Sequence, residues 1–332
     1  MKIKVTIKRF VPDVSDRRQT YFQAYDIEAS IGMTVLEALL KINDQIDPTL
    51  SFRKSCRSAI CGSCAMTING FSKLACNTQI IPEFEKHGDI LVEPLQNHIV
   101  LRDLIVDFSS FWKKINRIKP YLDPNEEAMR GRVEISHEDE KKIDKAQKCI
   151  MCGVCNGACN ALEIDRFYIG PSALAKSWRF VGDVREGDGK KRLAKLSDEH
   201  GMWDCVRCVH CTEYCPKGVA PLEAIENLRA EAMQKGLDDN HGAKHVDSMV
   251  DSIKRLGRLD EATMTFQTLG FIRSLGMIPF GLKMQMHGKM PRPHLFPIIE
   301  GMDEVKKIYK AHEKERERVL LKKKKKEKGG PK

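Results

Sequence analysis

Residues 205–216 read Cys205-Val206-Arg207-Cys208-Val209-His210-Cys211-Thr212-Glu213-Tyr214-Cys215-Pro216, a C-x2-C-x2-C-x3-C-P run. A near copy lies upstream at Cys149, Cys152, Cys155 and Cys159, where Asn160 stands in place of the proline. Thiolates at this spacing hold iron–sulfur clusters, and the fourth cysteine of each run ligates the cluster of the other run. Cys149, Cys152, Cys155 and Cys215 are then expected around one [4Fe–4S] cluster, and Cys159, Cys205, Cys208 and Cys211 around a second. Cys208 is either the fourth ligand of that second set or a buried spectator thiol. A spectator would leave a [3Fe–4S] cluster. Crossed ligation completes neither site until both segments are in place, which predicts a helical domain over 146–230 with clusters between its helices.

Upstream, Cys56, Cys61 and Cys64 form C-x4-C-x2-C, with Cys76 twelve positions on. This is the plant-type [2Fe–2S] pattern; a four-cysteine zinc site is the alternative. Gly62 and the small residues Ser55, Ser58, Ala59 and Ser63 let the backbone wrap closely and aim N–H groups at sulfur. The flanking sequence predicts an α+β domain over 1–110. Lys2 to Phe10 alternates like a strand, and Tyr21 to Ile27 is rich in aromatic and β-branched residues. Thr34 and Glu37 make a capping box ahead of a helix that ends at Asp47-Pro48. Ala65 to Ile68, Asn69-Gly70 and Phe71 to Cys76 read as a hairpin, and Asp89 to Glu93 as another strand. Residues 111–145, charged and carrying Pro120 and Pro124, read as a linker. Pro171 to Trp178 and the stretch after Pro216 read as helices, and Gly182 to Gly189 as a polar loop.

The chain has 332 residues, enough for two or three modest domains. The three sets use all twelve cysteines. Tight C-x2-C groups suit a metal better than the disulfides of a small secreted protein. Met1 to Phe10 has no apolar signal-peptide core, and no stretch reaches the roughly 18 apolar residues of a membrane span. Any membrane link is therefore expected through a partner. The net charge of +10 is swollen by Lys322 to Lys326. Such a run means a nucleic acid or anionic membrane partner, or a disordered solvated tail over 313–332.

Several stretches resemble the iron–sulfur subunit family of succinate dehydrogenases and fumarate reductases. They are Ser55 to Met66, Ile68-Asn69-Gly70, Leu74-Ala75-Cys76, Leu101-Arg102-Asp103-Leu104, Lys119-Pro120-Tyr121-Leu122 and Cys215-Pro216-Lys217-Gly218. The resemblance covers residues 1 to about 230. It implies a β-grasp [2Fe–2S] ferredoxin domain, then an all-α helical ferredoxin domain with two clusters. It also implies an electron-transfer role between an FAD-containing flavoprotein subunit and a membrane or quinone-facing subunit. No residue of this chain is expected to be catalytic.

Two departures from the common form narrow this. The position matching Cys208 is aliphatic in the common form, where the cluster is [3Fe–4S]; a thiolate there restores the fourth iron and lowers the potential. After Cys159, Asn160 to Asp165 replaces the proline and tryptophans found near the quinone, and Val206 replaces a histidine. Both departures resemble the branch whose membrane-associated partner is a cysteine-rich subunit similar to that of heterodisulfide reductase. That branch includes methylmenaquinol:fumarate reductases. It implies indirect exchange with menaquinone or methylmenaquinone, a place on the bacterial inner membrane through partner subunits with the side left open, and no nucleic acid.

Residues 231–312 form an extension expected to be helical. Met249, Ile253, Leu256 and Leu259 follow helical spacing, and an apolar region from Phe266 to Phe280 is broken by Gly270, Gly276 and Pro279. Met284, Met286, Met290, Pro291-Arg292-Pro293-His294 and Pro297 follow. The apolar region is either a docking surface or packs on its own domain. Two rival functions stay open: an electron-transfer subunit of a thiol-linked fumarate or heterodisulfide reductase, and a zinc-stapled nucleic-acid-binding protein.

Overall fold

The computed structural model describes residues 1–12, 19–131, 133–289 and 298–328. They fall into two units, Met1–Leu237 and the chain from Asp238 on. In the first, the alternating start becomes β1 (Lys2–Val11), paired antiparallel with β2 (Gln19–Glu28). Period-two alternation turns Ile3, Val5 and Ile7 inward, beside Tyr25 and Ile27. α1 (Val35–Gln45) begins at the capping box: the Glu37 amide donates to the Thr34 hydroxyl at 3.2 Å, and the Thr34 amide donates to the Glu37 carboxylate at 2.7 Å. β3 (Ala65–Ile68) and β4 (Phe71–Leu74) form the expected hairpin. Its turn residues Asn69 and Gly70 both have positive φ, 49° and 82°, as a two-residue type I′ turn requires.

α2 (Ile80–His87) leads into β5 (Ile90–Glu93), which runs parallel to β1 and closes a sheet of order β2-β1-β5-β3-β4. A separate hairpin, β6 (Ile99–Arg102) with β7 (Ile105–Asp107), completes this part. The chain is thus α+β at its N-terminal end and helical beyond it.

The stretch 111–145 is not a bare linker. It carries most of α3 (Ser109–Arg117), then α4 (Glu126–Met129) and the start of α5 (His137–Gln147). Phe111 and Ile115, one turn apart, bury against the helical core, and the Ser136 side chain caps α5. α6 (Val154–Gly157), α7 (Asn160–Ile164), α8 (Pro171–Val181), α9 (Gly189–Leu196), α10 (His210–Glu213) and α11 (Pro221–Gln234) follow, with α8 packed on α11.

The second unit holds α12 (His241–Leu256), α13 (Glu261–Leu269), α14 (Phe271–Gly276), α15 (Ile278–Met286) and α16 (Met302–Lys328). The tail expected to be disordered from residue 313 is helical as far as Lys328, in keeping with the helix propensity of its Lys, Glu and Arg residues. Met290, Pro291-Arg292-Pro293-His294 and Pro297 lie outside the described residues.

A buried polar cluster fixes the approach to the cysteine loop. Arg9 is buried, and its Nε donates to Asp103 at 2.9 Å. Its Nη1 donates to Asp47 at 2.6 Å and to the Tyr25 hydroxyl at 2.8 Å, and its Nη2 donates to Thr49 at 3.0 Å. Asp103 also accepts from the Ser51 and Phe10 amides. Burial pushes the Asp47 carboxyl up, but hydrogen bonds from Thr49, Tyr25 and Arg9 outweigh it and hold the carboxyl well below its ordinary range. The cluster ties β1, the segment after α1 and the β6–β7 turn together just ahead of Cys56. Asp103→Ala leaves the buried Arg9 Nε and the Ser51 and Phe10 amides without this acceptor, while Asp47 still pairs with Arg9 Nη1. A buried donor left unsatisfied costs about 1–3 kcal/mol, so Asp103→Ala is expected to cost about that much or more, read as a lower urea midpoint of the cluster-loaded chain. Asp103→Asn, which keeps part of the hydrogen bonding, should cost less.

Candidate metal centres

The loop before β3 is shaped to wrap sulfur. Arg57, Ala59 and Gly62 take positive φ of 57°, 54° and 74°. These turns aim the amides of Ser58, Ile60 and Cys61 at Cys56 Sγ, at 3.4, 3.3 and 3.3 Å, and the amide of Ala59 at Cys76 Sγ, at 3.3 Å. Cys64 is buried at the foot of β3, and Cys76 sits in a single turn just after β4. Loop and hairpin thus bring Cys56, Cys61, Cys64 and Cys76 together. Burial pushes the Cys64 thiol up to about 12, with the charges of Cys76 and Cys61 adding to the rise. A hydrogen bond with Ser63, followed by the Cys56 backbone, lowers Cys61 to about 6. Amides already pointed at sulfur fit thiolates carrying a cluster.

The two four-cysteine runs adopt one backbone twice. In the first, Met151 and Gly153 have positive φ, 53° and 80°, and α6 starts after Gly153. In the second, Arg207 and Val209 have positive φ, 56° and 71°, and α10 starts after Val209. Cys208 therefore occupies in its loop the place Cys152 occupies in the first. Glycine suits the left-handed position at 153, whereas a β-branched valine is strained at 209. Val209→Gly should raise stability by about 1 kcal/mol, the strain relieved less the added chain entropy of glycine. The check is the urea midpoint of cluster bleaching.

The fourth cysteine of each run stands beside the thiols of the other run. Cys215 lines one apolar cavity with Cys149, Cys152 and Cys155, walled by Ile150, Val154, Ala175, Val219 and Pro221. The Val219 amide donates to Cys215 Sγ at 3.4 Å. Burial raises Cys149, raises Cys152 to about 11 and raises Cys155 well above its ordinary value, and the charges of the other thiols in this cavity add to each rise. Burial likewise raises Cys159, with the charges of Cys208 and Cys205 adding to it. Cys211 is pushed up to about 12 by burial, then by Cys205, Cys159 and Cys208. Eight thiols thus stand in two mutually repelling groups of four, with Cys155 feeling Cys211 across the gap. Bare thiolates would not share such apolar sites; binding to iron displaces the protons and offsets the charge. The residues fit the clusters that their spacing implies.

The two kinds of site meet at Gly62. A Cβ built there would lie 2.5 Å from Cys152 Cβ and 2.7 Å from Cys152 Cα. Only glycine lets the β-grasp loop rest on the first helical loop so closely. The three cysteine groups therefore stand in series, with the Cys149 group in the middle.

Two supports had no sequence signal. The Asn97 side chain, from the segment before β6, donates to the carbonyls of Asn156, Gly157 and Cys159 at 2.9, 3.2 and 3.0 Å. Buried Arg229 donates to the carbonyls of Met202 and Cys205 at 2.7 and 2.9 Å through Nη2. Each holds the backbone of one cysteine run from a distant element. The departures noted after Cys159 and Cys205 form α7 and an exposed Val206.

Comparison with known proteins agrees with this layout. A 2Fe–2S iron–sulfur cluster binding domain family matches residues 4–113, and a 4Fe–4S dicluster domain family matches residues 145–219. The chain is 34% identical over 316 residues to the 8-methylmenaquinol:fumarate reductase iron–sulfur subunit of Wolinella succinogenes, covering 91% of this chain and 98% of that one. Its fold is similar to that of a chain in the Mycobacterium smegmatis Sdh1 complex in the apo form, with a TM-score of 0.62 at 24% identity. That likeness covers 72% of this chain and 98% of the other. No helix among the described residues is long and apolar enough to cross a membrane.

Proposed function

The chain belongs to the iron–sulfur subunit family of succinate dehydrogenases and fumarate reductases, and from that premise we propose how its residues divide the work of electron transfer. Cys56, Cys61, Cys64 and Cys76 hold a [2Fe–2S] cluster. Cys149, Cys152, Cys155 and Cys215 hold one [4Fe–4S] cluster, and Cys159, Cys205, Cys208 and Cys211 hold the other. When bound, the clusters supply one-electron oxidation and reduction. The chain's own residues set where they sit and how they are tuned. Ser58, Ala59, Ile60 and Cys61 donate N–H bonds to sulfur, Val219 does the same at Cys215, and the apolar walls exclude water. The observation that carries this reading is the serial arrangement of the three thiol groups, with Gly62 against Cys152.

The subunit works beside a flavoprotein, where fumarate and succinate chemistry takes place. At its other end we assign a cysteine-rich, heterodisulfide-reductase-like subunit that faces methylmenaquinol or menaquinol and brings the complex to the membrane. The name of the Wolinella relative supports a quinol rather than a thiol donor. In the purified complex, reduced methylmenaquinone is expected to reduce the clusters, and fumarate to reoxidise them. Reduction by a dithiol alone, with no response to quinol, would transfer the assignment to the thiol-linked reading.

A further inference from the structure

The second unit carries apolar side chains with no cover among the described residues. Phe271 is 70% exposed, Ile272 84%, Phe280 57% and Met286 80%. On α15 the exposure is not confined to one stripe. Ile278, Leu282 and Met286 follow each other turn by turn, while Phe280 projects from the other side, and all four are exposed. Apolar side chains spread in this way over two consecutive helices make an exposed patch of the kind that marks a protein or membrane contact.

The charges agree with lipid. From Phe271 to Lys289 there is no Asp or Glu, and the charged residues are Arg273, Lys283 and Lys289, all exposed. Long basic side chains lay their stems along apolar surface and keep the charge at the headgroups. Gly270, Gly276 and Pro279 break the region into pieces too short to span a bilayer but able to lie within its surface.

We propose that α14 and α15 seat directly in an anionic membrane surface, so that this subunit contributes its own lipid contact beside any made by its partners. The proposal rests on the second unit and is independent of the cluster assignments.

The test is co-sedimentation of the full cluster-loaded chain with vesicles of phosphatidylcholine alone, or of phosphatidylcholine mixed with phosphatidylglycerol. Binding is expected to the mixed vesicles and to fall with added salt. Replacing Arg273, Lys283 and Lys289 by Gln should weaken binding roughly fivefold per residue. Phe271→Ser, Ile272→Ser and Phe280→Ser together should weaken it by about tenfold or more. The cluster spectrum of each variant verifies that the first unit is intact, and far-ultraviolet circular dichroism verifies the helices of the second. Absence of vesicle binding, equal binding to both vesicle types, or binding unchanged by both sets of substitutions would each overturn the proposal. So would a serine variant that sheds its partner subunit while still sedimenting with vesicles, since that would make the face a protein interface.

Discussion

Cys208→Ser is expected to convert the outermost cluster from [4Fe–4S] to [3Fe–4S] without unfolding the chain. The backbone around residue 208 repeats the loop that presents Cys152, left-handed on both sides of the cysteine. The two positions therefore face their thiol groups in equivalent ways. Removing one thiolate leaves one iron without protein support, while Cys159, Cys205 and Cys211 still hold the rest. Iron content should fall by about one atom per chain, and the oxidised protein should gain the paramagnetic signal of a three-iron cluster. The potential of that centre should rise, because a negative ligand is lost. Turnover should slow as the last step becomes mismatched to its partner. A variant with unchanged iron and no new signal would show that Cys208 is a spectator. Cys152→Ser, the equivalent change in the first run, should give the same loss of one iron and serves as the positive control.

Gly62→Ala should uncouple the [2Fe–2S] site from the helical domain. Two costs fall on one methyl group. The residue sits at a φ of 74°, where an L side chain costs about 1–2 kcal/mol. The new Cβ would also press on the Cβ and Cα of Cys152. Backbone cannot be moved aside by a rotamer change, so overpacking adds about 1–3 kcal/mol. The loops must part, and the gap between the first two centres widens. Cys56, Cys61, Cys64 and Cys76 keep their own supports, so the [2Fe–2S] spectrum should persist while magnetic coupling to its neighbour and turnover both fall. Gly70→Ala separates the two costs. Gly70 has a φ of 82°, but a Cβ there meets nothing within 4 Å. It should lose stability and keep its electron transfer. Equal turnover losses in the two variants would remove the role assigned to the Gly62 contact.

What could be read from the sequence was local. The capping box at Thr34 and Glu37 and the Asn69-Gly70 turn each depend on residues a few positions apart, and each has the local form it predicted; the cysteine spacings are local in the same way. α3 and α5 were hidden by the charge and prolines of 111–145. Their buried faces amount to two residues each, Phe111 with Ile115 and Ile143 with Ala146, too few to stand out as a periodic pattern. The contacts that join the parts had no signal at all. Arg9 meets Asp103, Gly62 meets Cys152, and Asn97 meets the carbonyl of Cys159. Each joins segments far apart in the chain, and nothing in one segment's pattern names its partner. The grouping of Cys215 with the Cys149 run, and of Cys159 with the Cys205 run, was an expectation the sequence could offer because the chemistry of the motif carries that long-range information.

The central claim is that all twelve cysteines serve three fully ligated clusters. Iron analysis joined to Mössbauer spectroscopy of the anaerobically prepared, oxidised chain tests it most directly. The account predicts about ten iron atoms per chain, from one two-iron and two four-iron clusters, with no three-iron component. About nine iron atoms with a three-iron spectrum in the intact protein, or a colourless protein holding zinc, would contradict it.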